Sequence, residues 1–82
     1  MSDLESIKKE IKALYETNPA IHINISMSHP KIHLENDPAV IKGIYPNIFR
    51  IEEYSSGYPQ CHTLLYADVL TNQIEIVELT HA

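Results

Sequence analysis

Tyr66-Ala67-Asp68-Val69-Leu70-Thr71 separates an apolar segment, Gln60 to Tyr66, from an alternating one, Ile74 to Leu79, and so decides how the last strand is placed. Asp68 to Thr71 lacks the alternation of a strand. Asn72-Gln73 then leads into Ile74 and Ile76 on one face, with Glu75, Val77 and Leu79 on the other. A turn of 3₁₀ helix here lets the last strand cross and close a β structure. Tyr66 and Leu70 are expected to be buried, and the Asp68 carboxylate to accept from backbone N–H groups of the turn. A catalytic Asp68 is disfavoured, because no second acid, base or nucleophile lies at a supporting spacing.

Upstream, Ile21, Ile23, Ile25 and Met27 alternate with His22, Asn24, Ser26 and Ser28, which predicts a half-buried strand. His29-Pro30 interrupts it, and Ile32 and Leu34 resume a weak alternation. Asn36-Asp37-Pro38 predicts a turn or bend at a sheet edge, followed by a strand from Ala39 to Tyr45. Pro46-Asn47 turns the chain into a strand that starts at Ile48 and ends near Tyr54. Ser55-Ser56-Gly57 is a turn by composition, and Gln60 to Tyr66 pairs back as a hairpin strand. At the other end, Ser2-Asp3-Leu4-Glu5 has the form of a capping box. Leu4, Ile7, Ile11 and Leu14, widened by Tyr15, then make the apolar stripe of a helix that Asn18-Pro19 stops.

The 82 residues therefore predict one domain, 1–82, with a helix at about 3–17 and a barrel at about 20–80. A chain this short buries a small core, and a sheet that closes on itself leaves fewer open edges than a flat one. The fold expected is mainly β: a small SH3-like five-stranded barrel with one N-terminal α-helix and a 3₁₀ turn before the last strand. An OB-type barrel needs a helix between its third and fourth strands, and Tyr54 to Gln60 leaves no room for one.

Formal net charge is −5, and the six basic residues fall on the first segment and on scattered single positions. That weighs against nucleic acid, since tight duplex binding typically neutralises on the order of 6–10 phosphates. Protonating histidines would lessen the deficit without building a basic stripe. A single cysteine, Cys61, closes no intrachain disulfide, which fits reducing, cytoplasmic surroundings. No apolar run approaches the ~20 residues of a membrane span. No cofactor is expected and no metal site. His29 and His33 are four apart with Pro30 between them, so they read as solvated loop histidines rather than ligands. Cys61 and His62, adjacent on a strand, point to opposite faces and cannot act as a nucleophile pair; Cys61 reads as a small apolar filler.

At Ile44-Tyr45-Pro46-Asn47-Ile48-Phe49, and again at Tyr66-Ala67-Asp68-Val69-Leu70-Thr71, the sequence resembles the Veg family of small bacterial proteins regarded as stimulators of biofilm formation. The six-residue turn is the more specific motif. With the N-terminal helix and the closing Ile74–Leu79 segment, the resemblance spans nearly the whole chain. It implies an SH3-like barrel without catalytic activity that acts in transcriptional control of matrix production through contact with a regulator protein. It transfers no catalytic residues. The chain departs from the family pattern at His29-Pro30-Lys31-Ile32-His33, where the family commonly carries a glycine-rich, strongly basic loop. That difference weighs against carrying over any anion-binding role of the loop.

The candidate partner surface is therefore His29, Lys31 and His33 together with the Tyr54–Tyr58 hairpin. Tyr45, Tyr54, Tyr58 and Tyr66 are read as tyrosines bridging core and solvent rather than as the walls of a peptide groove. The function expected is that of a non-catalytic regulatory protein in control of biofilm or matrix gene expression; the alternative is a small β-barrel that binds nucleic acid. Self-association is a further expectation, because so small a domain gains by covering a strand edge or helix stripe.

Overall fold

The computed structural model of the chain describes residues 4–28 and 31–79. Ser2 of the expected capping box, and the His29-Pro30 interruption, lie outside them. Helix α1 (Leu4–Thr17) buries Ile7 and Ile11 and rests Leu14 on the core. Its stripe is narrower than the sequence predicted, for Leu4 and Tyr15 at the two margins are both exposed. Asn18 N–H still reaches the Leu14 carbonyl at 2.8 Å, and Pro19, which cannot be preceded comfortably by helix, ends the run.

Five strands follow: β1 (Ala20–Ser28), β2 (Lys31–Ile44), β3 (Ile48–Glu53), β4 (Gln60–Leu65) and β5 (Ile74–Ile76). All their pairings are antiparallel, in the order β4-β3-β2-β1-β5. The mainly β architecture with one N-terminal helix is as the sequence predicted. The closed barrel is not what forms: the sheet is open, with β4 and β5 as its edges. β5 is only three residues long. After it, Val77 N–H bonds the His22 carbonyl and Leu79 N–H turns back to the Ile76 carbonyl at 3.0 Å. The expected strand to Leu79 thus ends early, leaving Val77 exposed and Leu79 folded onto the core.

The turn predicted at Asn36-Asp37-Pro38 is instead the middle of β2, a single strand of 14 residues. Two features reconcile those residues with a strand. Glu35 and Asn36 together oppose Asn24 across a bulge, since Ile23 pairs with Asp37 and Ile25 with Leu34. Asn36 takes φ 51°, a left-handed conformation that asparagine tolerates. Pro38 lies opposite His22. Because Ile41 N–H points at β1, donating to Pro19, the alternation aims the Pro38 nitrogen the other way, past the end of β3 at Glu53. No ladder hydrogen bond is lost there. β2 pairs with β1 up to Val40 and with β3 from Ala39 onward, so it carries the chain from one half of a bent sheet to the other.

A second bulge sits between Ile41 and Gly43. It keeps Ile41 buried and Ile44 packed on the core although they are three residues apart. The Tyr45 ring lies over Gly43, where a Cβ would come within 2.9 Å of it.

Between β4 and β5 runs α2 (Tyr66–Leu70), which touches both edge strands and α1. It is α-helical rather than the predicted 3₁₀ turn: Thr71 N–H bonds Ala67 four residues back. Its end is a Schellman arrangement, in which Gln73 N–H bonds the Asp68 carbonyl at 3.0 Å and Asn72 N–H bonds Val69 at 3.2 Å. Asn72 supplies the left-handed residue, at φ 66°. The inward line of this short helix passes through Tyr66 and Val69, so Leu70, expected in the interior, is 41 % exposed. The core gathers Ile7 and Ile11, the inward residues of all five strands, and Tyr66, whose ring stacks on Phe49 at 5.3 Å.

Candidate interaction surface

The hairpin between β3 and β4 is built on a charged residue turned inward. Phe49, Ile51 and Glu53 share the buried parity of β3, and Glu53 is 1 % exposed. One carboxylate oxygen accepts from Ser55 N–H at 2.7 Å, and the other lies 2.7 Å from His62 Nε2 on β4. Burial pushes the Glu53 carboxyl up, but the hydrogen bonds of His62 and Ser55 outweigh it and hold the group below its ordinary 4.5. The carboxylate thereby ties the first residue after Tyr54 to the facing strand. Gly57 N–H closes the turn onto the Tyr54 carbonyl at 2.9 Å, with Gly57 at φ 89°.

What this base presents outward is aromatic. Tyr54 is half exposed and Tyr58 is 75 % exposed at the tip. The Tyr54 hydroxyl donates to Glu52 on the same face, which raises its proton affinity above the ordinary 10.0. Alternation places Lys42, Tyr45, Arg50, Thr63 and Leu65 on that outer face too, all exposed. Cys61 belongs there as well and is exposed, not the interior filler the sequence suggested. Its Sγ lies 3.8 Å from a Glu52 carboxylate oxygen. Tyr66, by contrast, is buried and donates its hydroxyl to the Tyr45 carbonyl at 2.8 Å.

The other half of the expected partner surface lies elsewhere. Lys31 and His33 are exposed on the far arm of β2, where they pair with Ser28 and Ser26 of β1, and His29 lies outside the described residues. His33 Nε2 meets Glu35 at 2.9 Å on the surface. Beside it is an open groove of about 460 Å³ lined by Asn24, Ser26, His33, Glu35, Asn72 and Glu75. Asn24 organises this region: its Oδ1 accepts from the bulged Asn36 N–H at 2.8 Å and its Nδ2 donates to Glu75 at 2.9 Å. No hydrogen bond joins His33 or Lys31 to the tyrosine hairpin among the described residues. Farther along the same β5 edge Glu78 accepts from both His22 N–H and the His22 ring at 2.8 Å. Its carboxyl is pushed up by burial but is held below the ordinary value by these bonds.

The sequence reading missed Glu53 and Asn24. For Glu53 the signal was present in the strand parity of Phe49, Ile51 and Glu53; for Asn24 no signal existed, because its role depends on the bulge opposite. Among the described residues no group of three or more His, Cys, Asp or Glu could hold a metal ion. No helix among them is long and apolar enough to cross a membrane.

Comparison with curated proteins returns no match. A family model described as biofilm formation stimulator VEG matches residues 2–77, which takes in α1, every strand and α2. With the six-residue turn Tyr66–Thr71 lying inside that match, the chain belongs to the Veg family of biofilm formation stimulators.

Proposed function

We propose that the chain is a non-catalytic regulatory protein of the cytoplasm, which controls biofilm or matrix gene expression by contact with a regulator protein. The observation that carries this reading is the pinned hairpin: Tyr54 and Tyr58 stand out from the fold on a turn that a buried carboxylate holds in place. Exposed, rigidly held tyrosines are the side chains that anchor protein contacts at low entropic cost. Family membership supports the biofilm context. Lys31 and His33, on the far arm of β2, form a second contact region in this reading. We also read the open sheet as an incomplete SH3-like barrel, a four-strand meander with β5 returned beside β1 and α2 lying across the gap.

The test is affinity capture from native lysate with the wild-type chain and a Tyr54→Ala/Tyr58→Ser variant. A regulator captured by the first and lost from the second, with circular dichroism unchanged, supports the reading. Equal capture by both removes the hairpin from it. A second reading draws on Lys42 and Arg50 sharing the outer face with Tyr45, the pairing of cations and aromatics that single-stranded nucleic acid uses. Glu52 on the same face and the net charge of −5 oppose it. A titration with single-stranded oligonucleotides at low salt that shows no association retires it.

A further inference from the structure

Edge strands in soluble proteins are blunted by charges, proline, bulges or shortness. β5 is short, but β4 carries no charge, proline or bulge, and although α2, which follows directly on Leu65, touches it, Cys61, Thr63 and Leu65 stay exposed. Gln60-Cys61-His62-Thr63-Leu64-Leu65 contains no Lys, Arg, Asp, Glu or Pro, and it pairs with β3 in unbroken register for all six residues. The direction of its backbone groups follows from the ladder. Tyr45 N–H bonds the Ile48 carbonyl, so even-numbered residues of β3 face β2 and odd-numbered ones face β4. Phe49, Ile51 and Glu53 therefore bond Leu64, His62 and Gln60. Cys61, Thr63 and Leu65 are left with their N–H groups aimed outward, and all three side chains are exposed.

We propose that this edge pairs with β4 of a second copy of the chain, antiparallel, with Thr63 opposite Thr63 of the second copy on the two-fold axis. The five-stranded sheets would then join into one. Among the symmetric registers this one engages all three outward-facing residues: Thr63 exchanges both bonds with its counterpart, and Leu65 N–H donates to Cys61 C=O in each direction. Shifting the centre to His62 would set two histidines side by side and bring Pro59, which has no N–H, towards the end of the ladder. The Thr63 register also lays the half-exposed Leu65, already beside Ile48, against Cys61 of the second copy. Of the two edge strands β4 is the one that bears no carboxylate or ammonium, so two chains of charge −5 can meet along it without placing like charges opposite one another in the new ladder. No such argument favours an extended segment of a different protein.

Analytical ultracentrifugation from about 10 µM to about 1 mM reads the self-association, since a strand-pairing interface sits at the weak end of the size range. A monomer–dimer equilibrium is expected, and Thr63→Lys, which leaves an exposed position and the β3 bonds in place, should weaken it roughly tenfold or more by setting two ammonium groups on the axis. Register is read separately by oxidation. In Cys61→Ser/Thr63→Cys the two thiols would lie on Cα atoms about 5.5 Å apart and should close a disulfide-linked dimer. In the wild type the two Cys61 Cα atoms would be about 14 Å apart along the strands and should not. A monomer at the highest concentration, a dimer indifferent to Thr63→Lys, or cross-linking through Cys61 but not through position 63 overturns the proposal.

Discussion

His62→Ala is the most informative single change, because it leaves a carboxylate inside the fold with half of its support. Glu53 is 1 % exposed, and its two oxygens are held separately, one by Ser55 N–H and one by His62. Removing one partner of a buried pair costs about 3–5 kcal/mol when the remaining charge is left wholly unpaired. Here Ser55 N–H still donates to the carboxylate at 2.7 Å. About 2 kcal/mol at neutral pH is therefore expected.

The pH dependence identifies the cause. In the wild type the Glu53 pKa is depressed, so its contribution is fully present above the ordinary carboxylate value of 4.5 and is lost as the pH falls through the lower folded value. In His62→Ala burial, the largest influence on that group, dominates instead and raises the folded pKa. The variant's deficit is then greatest near pH 7 and shrinks as Glu53 takes up a proton, to less than about 1 kcal/mol near pH 4. Urea denaturation followed by far-ultraviolet circular dichroism at several pH values measures both curves. Parallel curves, or a loss below about 0.5 kcal/mol at pH 7, would refute the pairing argument. Glu53→Gln is the companion: an amide can still accept from Ser55, so it should cost less than His62→Ala, and with no proton to take up its own stability shows no acid-linked gain.

Tyr66→Phe removes a hydroxyl that donates to the Tyr45 carbonyl at 2.8 Å while leaving the stacked ring in place, so thermal unfolding should report a loss of about 1 kcal/mol. Asp68→Ala should change stability by less than about 0.5 kcal/mol, because the α2 N-cap is Leu65 with no side-chain bond and the turn uses the Asp68 carbonyl rather than its carboxylate. Asn72→Ala, forced to φ 66°, should cost about 1–2 kcal/mol in the same assay, and Asn72→Gly little or nothing. Gly43→Ala puts a methyl group 2.9 Å from the Tyr45 ring, which is exposed enough to swing aside; about 1 kcal/mol of destabilisation is expected, with an altered tyrosine signal in near-ultraviolet circular dichroism.

The parts of the fold that could be read from the sequence are those where one local period runs undisturbed. Ile21-Ile23-Ile25 and Phe49-Ile51 alternate cleanly and are buried as that alternation requires. Ile7 and Ile11 fall on one helical stripe and are both interior. The reading failed where the backbone departs from its period. Asn36 and Pro38 have the composition of a turn, yet a bulge absorbs the left-handed asparagine and the end of β3 makes room for the proline. Both depend on the strands alongside, and nothing local to residues 36–38 encodes them. The same holds at the sheet edges. The apolar residues of Ile74–Leu79 are compatible with a strand of six, but a turn after Ile76 brings Leu79 inward and limits β5 to three. A β5 of that length leaves the sheet open, and α2 lies across the gap.

The two bulges of β2 have one consequence that links the core to the surface. Without the second, the parity that buries Ile41 would turn Ile44 outward; with it, Lys42 and Gly43 share the outer side and Tyr45 folds back over Gly43. The Tyr45 carbonyl is then where the buried Tyr66 hydroxyl can reach it. The sheet's outer face is thus fixed from beneath at two places, at Tyr45 by Tyr66 and at Tyr54 through the Glu53 carboxylate and Ser55. Each anchor is a polar group in the interior whose partner lies beside an exposed tyrosine. Loss of either should therefore reach the contact surface before it reaches the isoleucine core. Hydrogen exchange on His62→Ala would show this as faster exchange at Ser55 and Gly57 with the β1 amides still protected. Uniform acceleration through β1 would mean that the pair stabilises the whole sheet and has no particular hold on the hairpin.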